Sequence, residues 1–366
     1  MKRIGYIYEK ICSIENLNKA LDKACQCKKE KHFVKKILDN REYYIKRLHE
    51  TLISETYQLN ENICKTIRER SCQKLRELTV PKFYPDQIIH WAVCLQLQPI
   101  FMKGMYIYNC GSVPGRGGIY GKKYIDKIYK HDPKTKYALK LDIRKFFPNV
   151  NNSKLKELMR TKIKDPKTLR LIDAIIDNGG EGLPIGYYSS QWFSNFYLER
   201  LDHYIKEVLK IRHYIRYVDD MVLMDTNKRK LHKARLQISR YLEDNGYKIT
   251  IKDNWQLWGM HSRPLDFLGF KFYKDKTVLR KRIFIAMNRR VRRVQRKGYC
   301  TVKTARGIAA SLGWLKHIPS GRGYYTRLIK PIISKKEISK IISIYDKKVR
   351  GGKKPNDNQK QYRPQN

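Results

Sequence analysis

Hydrophobic positions divide the chain into an N-terminal helical part, a mixed middle part and a basic C-terminal part. Apolar residues recur at helical spacing in 7–21 and again in 33–52, which predicts an N-terminal helical extension over residues 1–70. From residue 76 to 116 the apolar runs become short, are broken by prolines, and end in the glycine-rich loop 115–118. This change in the hydrophobic pattern marks the start of a second region.

The middle of the chain alternates strand patterns with helix patterns. The predicted elements are a strand at 137–141, helices around 153–178 and 188–210, a hairpin at 213–224, a helix at 228–245, and short strands at 247–251 and 266–273. This order predicts an α+β fold with an antiparallel sheet. The segment 280–297 has no acidic residue and has apolar positions at helical spacing, so it predicts a basic helix suited to a phosphate backbone. The polar segment 350–366 predicts a disordered tail.

The charge balance narrows the class of partner. Lys and Arg number 79 against 34 Asp and Glu, which leaves a formal net charge of +45 over 366 residues. Such an excess repels itself unless a polyanion neutralises it, so a nucleic-acid partner is expected. No apolar run approaches the roughly 20 residues of a spanning helix, and the N-terminus lacks the apolar segment of a secretion signal. We therefore expect a cytoplasmic protein without a membrane partner.

The eight cysteines do not form a recognisable metal-binding pattern. The one tight pair, Cys25 and Cys27, lacks zinc-knuckle spacing and has no matching pair downstream. Reduced thiols are expected, as is usual in the cytosol.

Two adjacent carboxylates lie in the middle of the predicted hairpin. β-forming residues flank Asp219 and Asp220 within 213–224, which puts the acidic pair at the tip. Two neighbouring anions repel each other unless a cation lies between them or water solvates the turn. An ordinary solvated turn is thus the alternative. The apolar run 222–224 drives the hairpin into a core and favours the cation site.

A third carboxylate ends an apolar strand. Asp142 lies where the strand 137–141 gives way to a turn. Two-metal phosphoryl transfer needs carboxylates from separate strands that converge and hold two Mg²⁺ about 4 Å apart. One ion would activate a primer 3′-hydroxyl and the other would neutralise the triphosphate and the leaving pyrophosphate. A helix N-cap is the alternative role of Asp142.

Residues 182–191 lie between these acidic segments and form a Gly/Pro turn followed by small polar residues that open a helix. Their backbone amides and hydroxyls can support a template base or an incoming nucleotide. The alternative is a helix-entry loop with an aromatic face in the core.

The three segments together, in this order and spacing, resemble the reverse transcriptase family. Tyr217 to Asp220 resembles its Y-x-D-D box, Asp142 with Phe146 and Phe147 resembles its first catalytic strand, and 183–186 resembles its nucleotide-site loop. Residues 78–81 with Asp86, 114–117 and 267–270 are similar to the family's fingers and primer grip.

The resemblance implies a right-hand polymerase with fingers, palm and thumb and an antiparallel palm sheet. Fingers and palm are expected over 71–275, after the helical extension, and a basic helical thumb over 276–349. Asp142, Asp219 and Asp220 become the ligands of two Mg²⁺, for which Mn²⁺ can substitute, with Ile143 adding a backbone carbonyl.

The resemblance also implies roles in substrate binding. Phe147 falls where the family has an aromatic gate that excludes a ribose 2′-hydroxyl, so DNA synthesis is implied. The other implied nucleotide-binding residues are Arg76, Arg116, Ile185 and Gly186, and the implied template and primer residues are Ser190, Gln191, Tyr217, Leu268 and Gly269. A plain surface role is the alternative for the two arginines. The segment 248–255 has no clean match to the lysine often found there, which leaves the group that protonates pyrophosphate unassigned.

The form I-G-x-x-x-S-Q at 185–191 resembles the enzymes of diversity-generating retroelements. That resemblance implies error-prone copying of a template RNA at adenines, an RNA–DNA hybrid as product, deoxynucleoside triphosphates as substrates, and a small basic accessory protein. Retron, phage-defence and intron-type enzymes remain alternatives within the family. Outside it, the alternatives are a catalytically silent RNA-binding scaffold, an RNA-dependent RNA polymerase and a nuclease.

Overall fold

The structure is a computed structural model that describes residues 3–68 and 75–350. Its helices are α1 (Tyr8–Cys12), α2 (Ile14–Ala24), α3 (His32–Asp39), α4 (Arg41–Ile53), α5 (Ile88–Gly104), α6 (Gly118–His131), α7 (Asn152–Lys162), α8 (Pro166–Asp177), α9 (Tyr188–Tyr197), α10 (Glu199–His203), α11 (Lys228–Asp244), α12 (Lys281–Lys297), α13 (Val302–Leu315), α14 (Gly321–Tyr324) and α15 (Lys335–Arg350). Short 3₁₀ or π-type turns lie at Phe83–Gln87, Phe147–Asn149, Tyr204–Val208 and Tyr325–Ile329.

The strands are β1 (Ile63–Arg68), β2 (Leu75–Val80), β3 (Tyr137–Asp142), β4 (His213–Tyr217), β5 (Asp220–Asp225), β6 (Gln256–Gly259), β7 (Leu265–Phe267), β8 (Phe270–Phe272) and β9 (Thr277–Leu279). The α+β expectation is confirmed. The predicted tail beyond residue 350 lies outside the described residues. Within those residues, no helix combines the length and the apolar character that crossing a membrane requires.

The chain divides into two compact units, one made of residues 1–117 and 137–257 and the other of 118–136 and 258 onward. These units do not follow the lobe boundaries predicted at residues 70, 275 and 349. The assignment of fingers, palm and thumb stays a prediction.

The N-terminal helices of the first unit pack α2 against α4 and α5. The Ser13 hydroxyl caps α2, and the buried face of that helix carries Leu17 and Leu21. The Asp165 carboxylate accepts the backbone N–H groups of Ile7 and Tyr8 at 2.9 and 2.8 Å and also caps α8. The helical extension is therefore anchored to the remainder of this unit.

The predicted helical extension is wrong in its last part. Residues 63–68 form β1, which pairs antiparallel with β2 from Ile63↔Val80 to Arg68↔Leu75. The helical periodicity ends near Ile53, and the β-branched residues that follow favour a strand once β2 offers a partner.

A four-stranded sheet of order β4-β5-β3-β6 forms the centre of the first unit. The predicted strand at 137–141 and hairpin at 213–224 are confirmed, and α11 packs on β3 and β5. The predicted strand at 247–251 is wrong: it contributes one isolated bridge, Ile143↔Ile251, because the backbone has positive φ at Gly246 (70°) and Lys248 (54°).

The second unit contains a three-stranded sheet of order β7-β8-β9. α6 packs on β8, and α13 packs against both α12 and α15. The predicted basic helix is confirmed as α12, whose buried face carries Met287, Val291 and Val294.

Candidate active site

The three predicted acidic residues lie at one end of the central sheet. Asp142 is the last residue of β3, Asp220 is the first residue of β5, and the two are direct Cα partners in the antiparallel register. Tyr217 pairs with Asp220 across the hairpin, so Val218 and Asp219 form a two-residue turn. Side chains directly opposite each other on neighbouring strands are close, so the fold brings Asp142 beside the Asp219-Asp220 pair.

The turn that carries Asp219 has an unfavourable backbone conformation. Val218 has φ of 59°, in the left-handed region where two-residue hairpin turns favour glycine. A β-branched residue held there costs about 1–3 kcal/mol and requires surrounding contacts to maintain it. Gly111 provides one such contact, since a Cβ built on it would lie 2.6 Å from both the backbone nitrogen and Cγ2 of Val218.

A fully buried ion pair lies beneath the turn. The Arg216 guanidinium donates to both carboxylate oxygens of Asp202, at 2.7 and 2.6 Å, and neither side chain is exposed. Tyr214 donates its hydroxyl to the same carboxylate at 2.8 Å. A bidentate, hydrogen-bonded pair of this kind fixes the position of β4 relative to α10.

Two lysines neutralise the acidic cluster. Lys252 Nζ lies 2.6 Å from Asp142 Oδ1, and Lys140 Nζ lies 3.9 Å from Asp220 Oδ1. Lys252 is brought there by two backbone hydrogen bonds, from its own N–H to the Asp142 carbonyl and from the Arg144 N–H to the Thr250 carbonyl, each of 2.8 Å.

Lys252 was missed by the sequence interpretation. Lys248 and Lys252 both flank a short apolar stretch, so the sequence alone offers two candidates. Only the pairing with the end of β3 selects Lys252.

The surroundings of Asp219 disfavour the ionised form of its carboxyl group. Burial raises the pKa of Asp219 to about 6, and the neighbouring Asp142 and Asp220 carboxylates add to the effect. Asp142 Oδ1 is buried, and the Lys252 ammonium lies against it. Clustered carboxylate oxygens are the ligands that suit a hard divalent cation.

The cluster is not a preformed metal cage. In the described part of the chain, no three acidic, His or Cys side chains are arranged to hold a metal ion as they stand. Lys252 and Lys140 contact two of the three carboxylates instead, so a metal ion would have to displace Lys252 from Asp142. Ile143 follows Asp142 and is buried.

The predicted nucleotide-site loop packs tightly against two other predicted segments. A Cβ on Gly186 (φ 135°) would lie 2.4 Å from the Thr79 carbonyl oxygen, and Thr79 N–H donates to the Ile185 carbonyl at 3.0 Å. A Cβ on Gly182 (φ 73°) would lie 2.5 Å from the Phe147 carbonyl oxygen. Only glycine fits at these two positions, so the loop is held between β2 and the Phe147 segment.

The residues with predicted contacts to sugar, template and primer have distinct surroundings. Phe147 is half-buried and its ring packs edge-on against Phe146, with centroids 5.5 Å apart. Ser190 is buried, and Gln191, which is half-buried, accepts a hydrogen bond of 2.8 Å from the Ser112 hydroxyl. Tyr217 is exposed at the end of β4.

The remaining predicted residues lie on other segments. Arg76 lies on the exposed strand β2, and Arg116 donates to the Tyr106 carbonyl at 2.9 Å. Leu268 (φ 52°) and Gly269 (φ 84°) form the two-residue turn between β7 and β8 in the second unit. Their roles stay predictions.

Comparison with known proteins gives one family. Residues 45–272, more than half of the chain, match the model of the family described as reverse transcriptase (RNA-dependent DNA polymerase). Among solved structures, apo telomerase from Candida tropicalis truncated from its C-terminal domain is 14% identical with a TM-score of 0.48, covering 61% of this chain and 55% of that one. Telomerase from Candida albicans, in complex with a fragment of telomeric RNA, is 11% identical with a TM-score of 0.48, covering 75% and 55%. The chain thus spans just over half the length of these structural neighbours.

Proposed function

We propose that this chain, which belongs to the reverse transcriptase family, is an RNA-directed DNA polymerase whose metal ligands are Asp142, Asp219 and Asp220. The observation that carries the proposal is the register Asp142↔Asp220 beside a two-residue turn that ends in Asp219. Two carboxylate-bearing segments of a buried sheet meet there, as two-metal nucleotidyl transfer requires.

Members of the family use divalent metal ions, and we propose two Mg²⁺ ions here, with Mn²⁺ as a substitute. The donor set fits, since it consists of carboxylate oxygens from two paired strands and the turn between β4 and β5. The Ile143 carbonyl is the proposed additional ligand. When bound, the ions activate the primer 3′-hydroxyl and neutralise charge on the triphosphate.

The chain's own residues would position and protonate the substrate. Lys252 Nζ, 2.6 Å from Asp142, is the proposed proton donor to the leaving pyrophosphate, since it is the cation that faces the carboxylates from the segment after α11. Phe147 is the proposed gate against a ribose 2′-hydroxyl, and its backbone carbonyl lies against Gly182. Catalysis would come mostly from positioning and charge neutralisation.

The proposed partners are template RNA, the RNA–DNA hybrid and deoxynucleoside triphosphates. The chain carries a net charge of +45, and α12 presents Arg282, Arg289, Arg293 and Arg296 along one exposed face at helical spacing. Arginine side chains suit phosphate contacts, and affinity for the hybrid should fall steeply as salt rises.

Within the family, we propose the error-prone enzyme of a diversity-generating retroelement, working with a small basic accessory protein. The support is the sequence form Ile185-Gly186 with Ser190-Gln191. A neighbouring gene pair that differs at adenines would support this subfamily, and its absence would favour the retron, phage-defence or intron-type alternatives.

Primer extension tests the polymerase proposal. Wild-type protein, an Asp219→Ala/Asp220→Ala variant and an Asp244→Ala control are compared on an RNA template with Mg²⁺ and deoxynucleotides. Asp244 is an exposed carboxylate on α11. We expect extension by wild type and control and none by the double variant.

Extension by the double variant would overturn the assignment of the carboxylates. Failure of all three proteins, persisting after candidate accessory proteins and cognate RNAs are added, would instead favour the silent RNA-binding scaffold.

A further inference from the structure

The buried guanidinium of Arg216 is fully committed beneath the catalytic turn. Nε and Nη2 donate to Asp202, Nη1 and Nη2 donate to the side-chain and backbone oxygens of Asn195 at 3.3 and 3.4 Å, and Nη1 also donates to the Val218 carbonyl at 3.0 Å. A guanidinium has five N–H groups, and these five bonds use all of them. Because every N–H of Arg216 already has an acceptor, the guanidinium is held in one orientation. Its bond to the Val218 carbonyl therefore fixes the direction of that carbonyl.

The same network encloses Val218 from the other side. The Asn195 amide donates to the Gly111 carbonyl at 2.7 Å, and Gly111 lies directly against the Val218 backbone nitrogen. Residues 108–110 run beside β4, with hydrogen bonds between Arg216 and both Tyr108 and Cys110. Asn195 thus links both contacts that hold Val218, one through Arg216 and one through Gly111.

We infer that Arg216 is a positioning residue for the metal site: by fixing the Val218-Asp219 peptide it holds the turn in its left-handed conformation and directs the Asp219 carboxylate. The Asp202 pair fixes the guanidinium, and the bond to the Val218 carbonyl transmits that fixed position to the turn. This inference rests on the proposed role of Asp219 as a metal ligand. If the Arg216–Asp202 ion pair contributed only to packing, the hydrogen bond from Arg216 to the Val218 carbonyl would not be needed.

Arg216→Lys is the first test. An ammonium group donates from one nitrogen, so it can keep the charge opposite Asp202 but cannot also reach the Val218 carbonyl and Asn195. We expect kcat to fall about 100-fold, the effect typical of a misplacement of about 1 Å at a reacting centre, while KM for template and primer changes less than about twofold. Calorimetric titration of the nucleic-acid-free protein with Mn²⁺ should show about tenfold weaker binding.

The matched control is the ion pair of Lys162 with Glu199. Its atoms are 2.7 Å apart, its side chains are 18% and 7% exposed, and Glu199 lies three residues before Asp202. Lys162→Met/Glu199→Gln removes a largely buried ion pair, and its Tm is measured beside that of Arg216→Lys. Unlike Arg216→Lys, it should leave kcat and Mn²⁺ binding near their wild-type values.

Two further variants keep the inference falsifiable if Arg216→Lys does not fold. Asp202→Leu/Arg216→Met removes both buried charges together, which such sites tolerate better than removing one. Adding Val218→Gly to either variant should restore kcat at least threefold, because glycine adopts this φ without strain.

The outcomes separate the inference from the proposed function. A low kcat with weak Mn²⁺ binding, present in the Arg216 variants and absent from the Lys162/Glu199 control, supports positioning. Wild-type kcat and Mn²⁺ binding in a folded Arg216 variant would overturn it, as would an equal loss of both in the control. Full activity of Asp219→Ala would show instead that the proposed metal role of Asp219 is wrong.

Discussion

Lys252 Nζ lies 2.6 Å from Asp142 Oδ1, although the two residues are 110 positions apart in the sequence. The contact forms because the end of β3 pairs with the segment after α11. The lysine neutralises a carboxylate that the proposed mechanism assigns to a metal ion. In the proposed mechanism, the same ammonium group would compete with the metal and, once displaced, would be available to the leaving pyrophosphate.

Lys252→Met should have opposite effects on metal binding and turnover. Mn²⁺ should bind the metal-free protein more tightly, by about two- to tenfold, because a competing and partly exposed cation is removed. Extension at saturating metal should slow, since the proposed proton donor is absent. Isothermal titration and single-turnover extension measure the two effects. Lys228→Met, on the exposed start of α11, removes the same charge and should do neither; equal behaviour of the two variants would contradict the prediction.

The pKa of Asp219, raised to about 6, predicts a pH-dependent stability of the metal-free protein. Between about pH 4 and 6 the folded state binds the Asp219 proton more tightly than the unfolded chain does, so rising pH favours unfolding across that window. Above pH 6 the loss is complete. Asp219→Asn should then raise the free energy of unfolding by about 1–3 kcal/mol.

Chemical denaturation in the presence of a chelator, at pH 4 to 8, measures this effect. Asp244→Asn is the exposed control. A stabilisation by Asp219→Asn that is the same at pH 4 and pH 7 would contradict the assignment of the raised pKa. Metal affinity should also weaken about tenfold per pH unit below 6, because the proton and the metal compete for Asp219.

The acidic hairpin could be predicted from the sequence because local pattern decides it. β-forming residues flank Asp219 and Asp220, and the continuous apolar run 222–224 is buried at every position, as expected of a strand covered on both faces. The same reasoning located Asp142 at the end of β3. Strand type and strand ends follow from periodicity, and the antiparallel register Asp142↔Asp220 needs only these two elements.

Features set by tertiary contacts could not be predicted. A valine in left-handed conformation opposes local preference. It is held by Gly111, which is distant in sequence, and by Arg216, whose own position depends on Asp202 and Asn195. Likewise, nothing local distinguishes Lys252 from Lys248. The strand expected at 247–251 failed for the same reason, since its apolar residues pack without a continuous partner strand.

Gly186→Ala should damage the nucleotide site. The new Cβ would lie 2.4 Å from the Thr79 carbonyl oxygen at a backbone φ of 135°, so both clash and strain act. We expect a loss of about 2–4 kcal/mol in the free energy of unfolding and a higher KM for deoxynucleotides. Gly313→Ala, on α13, is the matched control, because its Cβ would meet nothing within 4 Å. Similar losses in both variants would show that the contact with β2 is unimportant.

Phe147→Ala should reduce discrimination against ribonucleotides. The ring is half-buried and packs on Phe146, so truncation opens space where the proposed gate excludes a 2′-hydroxyl. The ratio of kcat/KM for a deoxynucleotide to that for its ribonucleotide should fall about 10- to 100-fold. Single-nucleotide incorporation with both substrates measures the ratio. An unchanged ratio, with both rates lowered equally, would assign Phe147 to packing.

Gln191→Gly should change the error spectrum more than total extension. Gln191 accepts a hydrogen bond from the Ser112 hydroxyl, so its amide is held in place beside the nucleotide-site loop. If this amide shapes the space around the templating base, Ser112→Ala should reproduce part of the effect, because it releases the amide without altering α9. Gln191→Ala separates the effect of losing the amide from the loss of helix propensity that glycine causes, about 1 kcal/mol.

Sequencing cDNA made on one RNA template gives the misincorporation frequency at each template base. Equal spectra in Gln191→Gly and wild type would remove the proposed role, whereas a change confined to template adenines would support the error-prone subfamily.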